Sequence, residues 1–172
     1  MLNQNGKVKW LIISILVVIV IALIVGSTLL FLARYRPNAT NPFTTNILVT
    51  TKFTLYYPTN LPEGYYIDAN SVSTPQTGVV ILDIQNSRNQ KIYMSQEARP
   101  SEFNFGGYYK DFSGLNEQVT SQGTIATGYI NNHQTVVGSL LINGTWVFLN
   151  TNNLKIHPSS LSRILRSLIA SQ

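Results

Sequence analysis

The sequence predicts an α+β fold, an antiparallel β-sheet covered by one C-terminal α-helix and preceded by a single N-terminal transmembrane helix. Three observations carry this reading. An uncharged apolar run occupies Trp10 to Ala33, alternating strand segments separated by turn residues fill most of Lys52 to Asn150, and Pro158 to Ala170 repeats apolar residues at helical spacing.

The first element, Trp10 to Ala33, reads WLIISILVVIVIALIVGSTLLFLA, 24 residues without a charge. At about 1.5 Å per residue it makes a helix of roughly 36 Å, longer than a hydrocarbon core of about 30 Å. No polar face recurs with a 3.6-residue period, which sets it apart from a helix packed in a soluble core. Trp10 and Tyr35 stand at the two ends, where aromatic rings favour the membrane interface. A cleaved signal peptide has a shorter apolar core, of about 7 to 15 residues, followed by small residues at the cleavage site. Leu30-Phe31-Leu32-Ala33-Arg34 lacks that pattern, and a chain without cysteine has no lipobox. The segment is therefore expected to stay as a signal anchor at 10–33, with a tail at 1–9, a stalk linker at 34–46 and an α+β domain at 47–172.

Two basic residues stand on each side of the run, Lys7 and Lys9 before it and Arg34 and Arg36 after it. The free amino terminus, the sparse lysines of the distal domain and the lack of cysteine lead us to expect a cytoplasmic tail and an extracytoplasmic domain. Within the run, Ala22 and Gly26 form a small-xxx-small pair, a candidate helix–helix contact in the bilayer.

The net charge of +5 belongs mostly to the membrane edges. After Pro37, eight Lys and Arg face seven Asp and Glu, a balance of +1 without a basic stripe, so no nucleic acid is expected as a partner. Asn, Gln, Ser and Thr, 57 of 172 residues, solvate the surface in place of charge.

Pro37 to Asn46 reads as an extended stalk because Pro37 and Pro42 oppose helix continuation. Lys52 to Tyr57 alternates Phe53, Leu55 and Tyr57 against Thr54 and Tyr56 and is broken by Pro58 and Leu61-Pro62-Glu63-Gly64. A second strand is expected at Tyr65 to Val72. Val79 to Gln85 and Gln90 to Gln96 flank Asn86-Ser87-Arg88-Asn89 as a hairpin, with Val80, Leu82, Ile84, Ile92 and Met94 on its dry face. A Gly-bearing loop is expected from Pro100 to Gly114, then strands at about 117–121, 124–130 and 134–142. Asn143-Gly144, both tolerant of positive φ, joins the last of these to Thr145 to Asn150. Trp146 and Phe148 alternate there with Val147 and Leu149, so both faces of that strand are expected to be covered. The cover is expected from Pro158 to Ala170, where Leu161, Ile164, Leu165, Leu168 and Ile169 share one helical face and Pro158 suits the first turn.

The order Phe53-x-Leu55-Tyr56-Tyr57-Pro58, Leu61-Pro62-Glu63-Gly64-Tyr65, Gly123-Thr-Ile-Ala, Val137-Gly-Ser-Leu, Gly144-Thr-Trp146 and Leu161-Ser-Arg-Ile-Leu-Arg-Ser-Leu168 resembles bacterial single-pass envelope proteins. It is similar to the extracytoplasmic domain of unknown function attached to some anti-sigma factors and lipoproteins. The resemblance covers most of residues 50–170. It implies a place outside a bacterial cytoplasmic membrane and supplies no catalytic residue. With nine residues ahead of the expected membrane span, a sigma-binding domain like that of the anti-sigma members is not expected.

The residues point away from known chemistry. His133 follows Asn131 and Asn132 in a turn and His157 precedes Pro158, neither within a ligand-spaced cluster. No Gly-x-Ser-x-Gly, P-loop or paired-carboxylate motif is present. Neither catalytic residues nor a metal or cofactor site are expected. Three Tyr-Tyr pairs (56-57, 65-66 and 108-109) offer aromatic surface, and Tyr108 and Tyr109, beside Gly106 and Gly107 in a loop, are the candidate binding surface. The function expected is a membrane-anchored extracytoplasmic binding or scaffold module of a bacterial cell envelope, non-enzymatic, with the lipid bilayer and an envelope protein or glycan as partners. The alternatives are an envelope enzyme with an unrecognised site and a membrane-complex subunit using its anchor helix.

Overall fold

The structure is a computed structural model and describes residues 40–171. The expected anchor at 10–33, with Ala22 and Gly26, and the tail at 1–9 lie outside the described residues. Among the described residues no helix is long and apolar enough to cross a membrane. The elements are α1 (Thr45–Thr50), β1 (Tyr56–Pro58), β2 (Tyr65–Gln76), β3 (Val79–Asn86), β4 (Lys91–Ala98), α2 (Phe105–Tyr109), β5 (Ser113–Thr120), β6 (Gly123–Ile130), β7 (Thr135–Ile142), β8 (Thr145–Thr151), α3 (Pro158–Arg166) and β9 (Leu168–Ala170).

Seven strands form one antiparallel sheet in the order β2-β3-β4-β8-β7-β6-β5, and β1 pairs with β9 in a separate ribbon. The α+β class is the one the sequence predicts. Strand alternation separates two faces. Val80, Leu82, Ile84, Ile92, Met94, Val147 and Leu149 all point to the inner face and are buried there. Helix α3 packs against β6 and β7 on that face, with Leu161, Ile164 and Leu165 fully enclosed. Gln118 ties the helix to edge strand β5: its Oε1 accepts from Ser162 Oγ at 3.0 Å and from Arg166 Nη2 at 2.5 Å.

Several local expectations change. The stalk was expected to reach Asn46, but Phe43 is buried in the core and Thr45–Thr50 is helical, its first turn capped by Thr44 Oγ1 accepting from Ile47 N. The strand expected at 52–57 shrinks to β1. Thr54 O and Tyr56 N are taken by side chains, accepting from Thr145 Oγ1 at 2.8 Å and donating to Gln96 Oε1 at 2.7 Å, so the segment is pinned to the main sheet without joining its ladder.

Strand β2 runs on to Gln76 past Pro75, which an edge strand tolerates because the missing N–H faces no partner. Register shifts at Asp68/Ser73 and Ser73/Gln76 absorb the extra residues. The expected Asn143-Gly144 turn is present, with φ of 47° and 80°. The C-terminal helix stops at Arg166, not Ala170. Ser167 N and Oγ close its last turn on Ile164 O, and the chain then extends as β9, which buries Leu168 but turns Ile169 outward.

Candidate functional site

The outer face of the sheet divides into a covered half and an open half. Over β6, β7 and β8 lies the segment 103–112, which the sequence places as a loop. It contains the single turn α2, started by Asn104, whose Oδ1 accepts from Gly107 N at 2.9 Å. The segment covers Trp146 and Phe148 on the outer face of β8, whereas α3, expected as the cover of that strand, packs on β6 and β7 of the inner face. Phe103 and Phe105 meet the Trp146 ring at centroid distances of 4.8 Å and 5.3 Å, and Tyr108 reaches both Trp146 and Phe148.

This placement corrects the role expected of Tyr108 and Tyr109. Tyr109 is buried, and Tyr108 is half-buried in the ring cluster, so they are the cover and not an exposed ligand surface. Burial pushes both phenols above the ordinary tyrosine range. Ser139 at the floor of the cluster is fully buried. Its Oγ accepts from Trp146 Nε1 at 2.7 Å and shares a hydrogen bond with Tyr109 OH at 3.0 Å. Ser139→Ala orphans both polar groups in a dry cluster and is expected to cost about 1–3 kcal/mol. A lowered thermal midpoint together with red-shifted tryptophan fluorescence checks this.

Over β2, β3 and β4 the same face is open. Cross-strand register fixes two rows: Tyr66, Gln85 and Lys91, then Asp68, Asp83 and Tyr93, the second row continuing into Asn150 on β8. Tyr66 and Tyr93 are 49% and 45% exposed, unusually open for large rings on a sheet. Asp68 and Asp83 stand directly opposite each other, an arrangement that is repulsive unless donors intervene. Donors do: Lys91 Nζ lies 2.6 Å from Asp83 Oδ2, and Gln85 Nε2 lies 2.9 Å from Asp68 Oδ2 and 3.3 Å from Tyr66 OH. The hydrogen bond and charge of Asp83 hold the Lys91 ammonium above the ordinary lysine range. The result is a shallow array of two rings, two carboxylates, an amide and an ammonium held in fixed register.

Glu97 also faces outward, opposite Trp146 at the border of the covered half, and burial pushes its carboxyl up.

The histidines stay apart from this array. His133 occupies a turn in which Asn131, Asn132 and His133 all have positive φ, and its Nε2 lies 2.8 Å from Ser113 Oγ. Among the described residues Ser113 is the one hydrogen-bond partner of His133. No carboxylate orients the ring, so the pair lacks the third member that activates a serine nucleophile. His157 holds the N-cap position of α3 with an extended backbone but makes no side-chain cap bond. A cleft of about 640 Å³ lies beside the β2–β3 turn, where Lys52 is the one titratable residue among its lining. Among the described residues no three His, Cys, Asp or Glu gather as a metal site.

Sequence reasoning missed the open array. The signal was present as same-face pairs two residues apart, Tyr66 with Asp68, Asp83 with Gln85 and Lys91 with Tyr93, but their juxtaposition depends on register across three strands. No family model matches the chain, and no curated protein matches it.

Proposed function

We propose that the chain is a membrane-anchored extracytoplasmic binding or scaffold module of a bacterial cell envelope and performs no catalysis. The observation that carries this reading is the open half of the outer sheet face, where exposed rings and prearranged polar groups form a flat recognition surface beside a half closed by the protein's own aromatic segment. The Asp68–Asp83–Lys91 array lies on the outer face of the sheet, and the cleft beside the β2–β3 turn has Lys52 as the one titratable residue of its lining. The anchor rests on the uncharged run from Trp10 to Ala33, which is long enough to span the bilayer.

The placement is tested in cells producing the full-length chain. Carbonate washing is expected to leave it in the membrane pellet, and protease added to intact spheroplasts is expected to remove the folded α+β domain. Release by carbonate overturns the anchor, and full protection of the domain in spheroplasts, with digestion only after lysis, overturns the orientation.

A further inference from the structure

We propose that the open outer face binds a non-anionic glycan chain, with Tyr66 and Tyr93 as stacking platforms and Asp68, Asp83, Gln85 and Lys91 as hydroxyl-recognising groups. This deepens the binding-module reading and rests on it. The two tyrosines are separated by one intervening strand laterally and by two residues along the strand. With strands about 4.8 Å apart and a rise of about 3.4 Å per residue, their Cα atoms lie about 12 Å apart. The polar row between them is continuous. A ligand that engages both rings must be elongated and must present apolar patches and hydroxyl groups alternately along its length.

A pyranose chain has that chemistry. Its axial C–H faces meet the electron-rich face of an aromatic ring, and its equatorial hydroxyls both donate and accept. Carboxylates and an ammonium in mutual hydrogen bonds serve both roles: Asp68 and Asp83 accept from sugar hydroxyls, while Lys91 and the Gln85 amide donate to sugar oxygens.

Charge selects among polymers. Asp68 and Asp83 against Lys91 give the array a net charge of −1, counted as one cation and two anions. Nucleic acids and other polyanions meet two carboxylates and one ammonium there, and they are disfavoured. A lipid tail finds no apolar groove, since the rings are set in a polar row. An extended peptide adds to an unpaired strand edge, here the outer edge of β2, whereas the array lies on the sheet face and four of its six residues stand on β3 and β4, which are paired on both sides.

The test uses the full-length chain in detergent micelles, titrated calorimetrically with chitohexaose and cellohexaose as neutral hexasaccharides and with heparin as a polyanion. Saturable binding of at least one neutral hexasaccharide is expected, with no heparin binding at the same concentration. Tyr66→Ala and Tyr93→Ala are each expected to weaken it roughly tenfold or more, while Tyr66→Phe and Tyr93→Phe stay within about threefold. Both tyrosines are exposed, so an unchanged melting temperature in the alanine variants shows that the fold is intact.

The inference is overturned if neither neutral sugar saturates at millimolar concentration, if the alanine variants bind as the parent does, or if heparin binds as tightly. A photocrosslinking residue at position 66 in native membranes separates this from the broader reading. Failure of the sugars together with a crosslink to an envelope protein removes the glycan and leaves the binding module. Failure of both removes both.

Discussion

Gly123→Ala is expected to unfold much of the domain. Gly123 opens β6 with φ of 140°, a backbone conformation that side-chain-bearing residues rarely adopt, and it packs against the neighbouring strand β7. A Cβ at this position meets the Leu141 carbonyl oxygen at a separation below any real contact and Leu140 Cδ1 at 3.1 Å. The first obstacle is backbone, so it has no rotamer to yield. Strain of this kind costs about 1–3 kcal/mol, and overpacking adds a similar amount. Against a total stability of roughly 5–15 kcal/mol, the loss is large enough to lower the thermal midpoint by many degrees. A midpoint within experimental error of the parent's shows that the β6–β7 contact is not as close as the structure has it.

Leu165→Ala is the second large expected effect. Leu165 is fully buried on α3, and its Cδ1 sits 3.2 Å from the point where a Cβ on Gly138 of β7 would lie. The helix approaches β7 this closely because Gly138 carries no side chain, and Leu165 fills the space so created. Truncation removes the methyl groups from that space and leaves a cavity between two rigid layers that cannot close on it. The expected cost is about 2–5 kcal/mol. The urea midpoint is expected to fall, while Arg163→Ala, on the exposed side of the same helix, is expected to change it little. Equal effects from both substitutions show that α3 does not seat its apolar stripe on the sheet.

Much of the inner half of the fold was legible in the sequence because it is written in local periodicity. The two-residue repeat from Val80 to Ile84 and from Ile92 to Met94, the Asn143-Gly144 turn and the spacing of Leu161, Ile164 and Leu165 each record which side of an element is dry. The helix was extended too far because Leu168 and Ile169 continue the helical spacing by chance. Backbone bonds from Thr59 N to Ser167 O and from Ser171 N to Leu55 O draw that stretch into β9. The aromatic segment reads as a loop because its glycines and lack of period are turn-like, whereas its rings find Trp146 and Phe148 only once β8 stands between β4 and β7.

The sequence by itself determined the apolar run, the α+β class, the inner faces of β3 and β4 and the amphipathic C-terminal helix, since each follows from which residues in a short window prefer water. Only the tertiary structure decided that Tyr109 is enclosed while Tyr66 and Tyr93 are open, and that Asp68, Asp83, Gln85 and Lys91 share one array. The physical reason is register: the positions that strands β2, β3 and β4 bring side by side are set by how three separate segments slide against one another, and no local window contains that information.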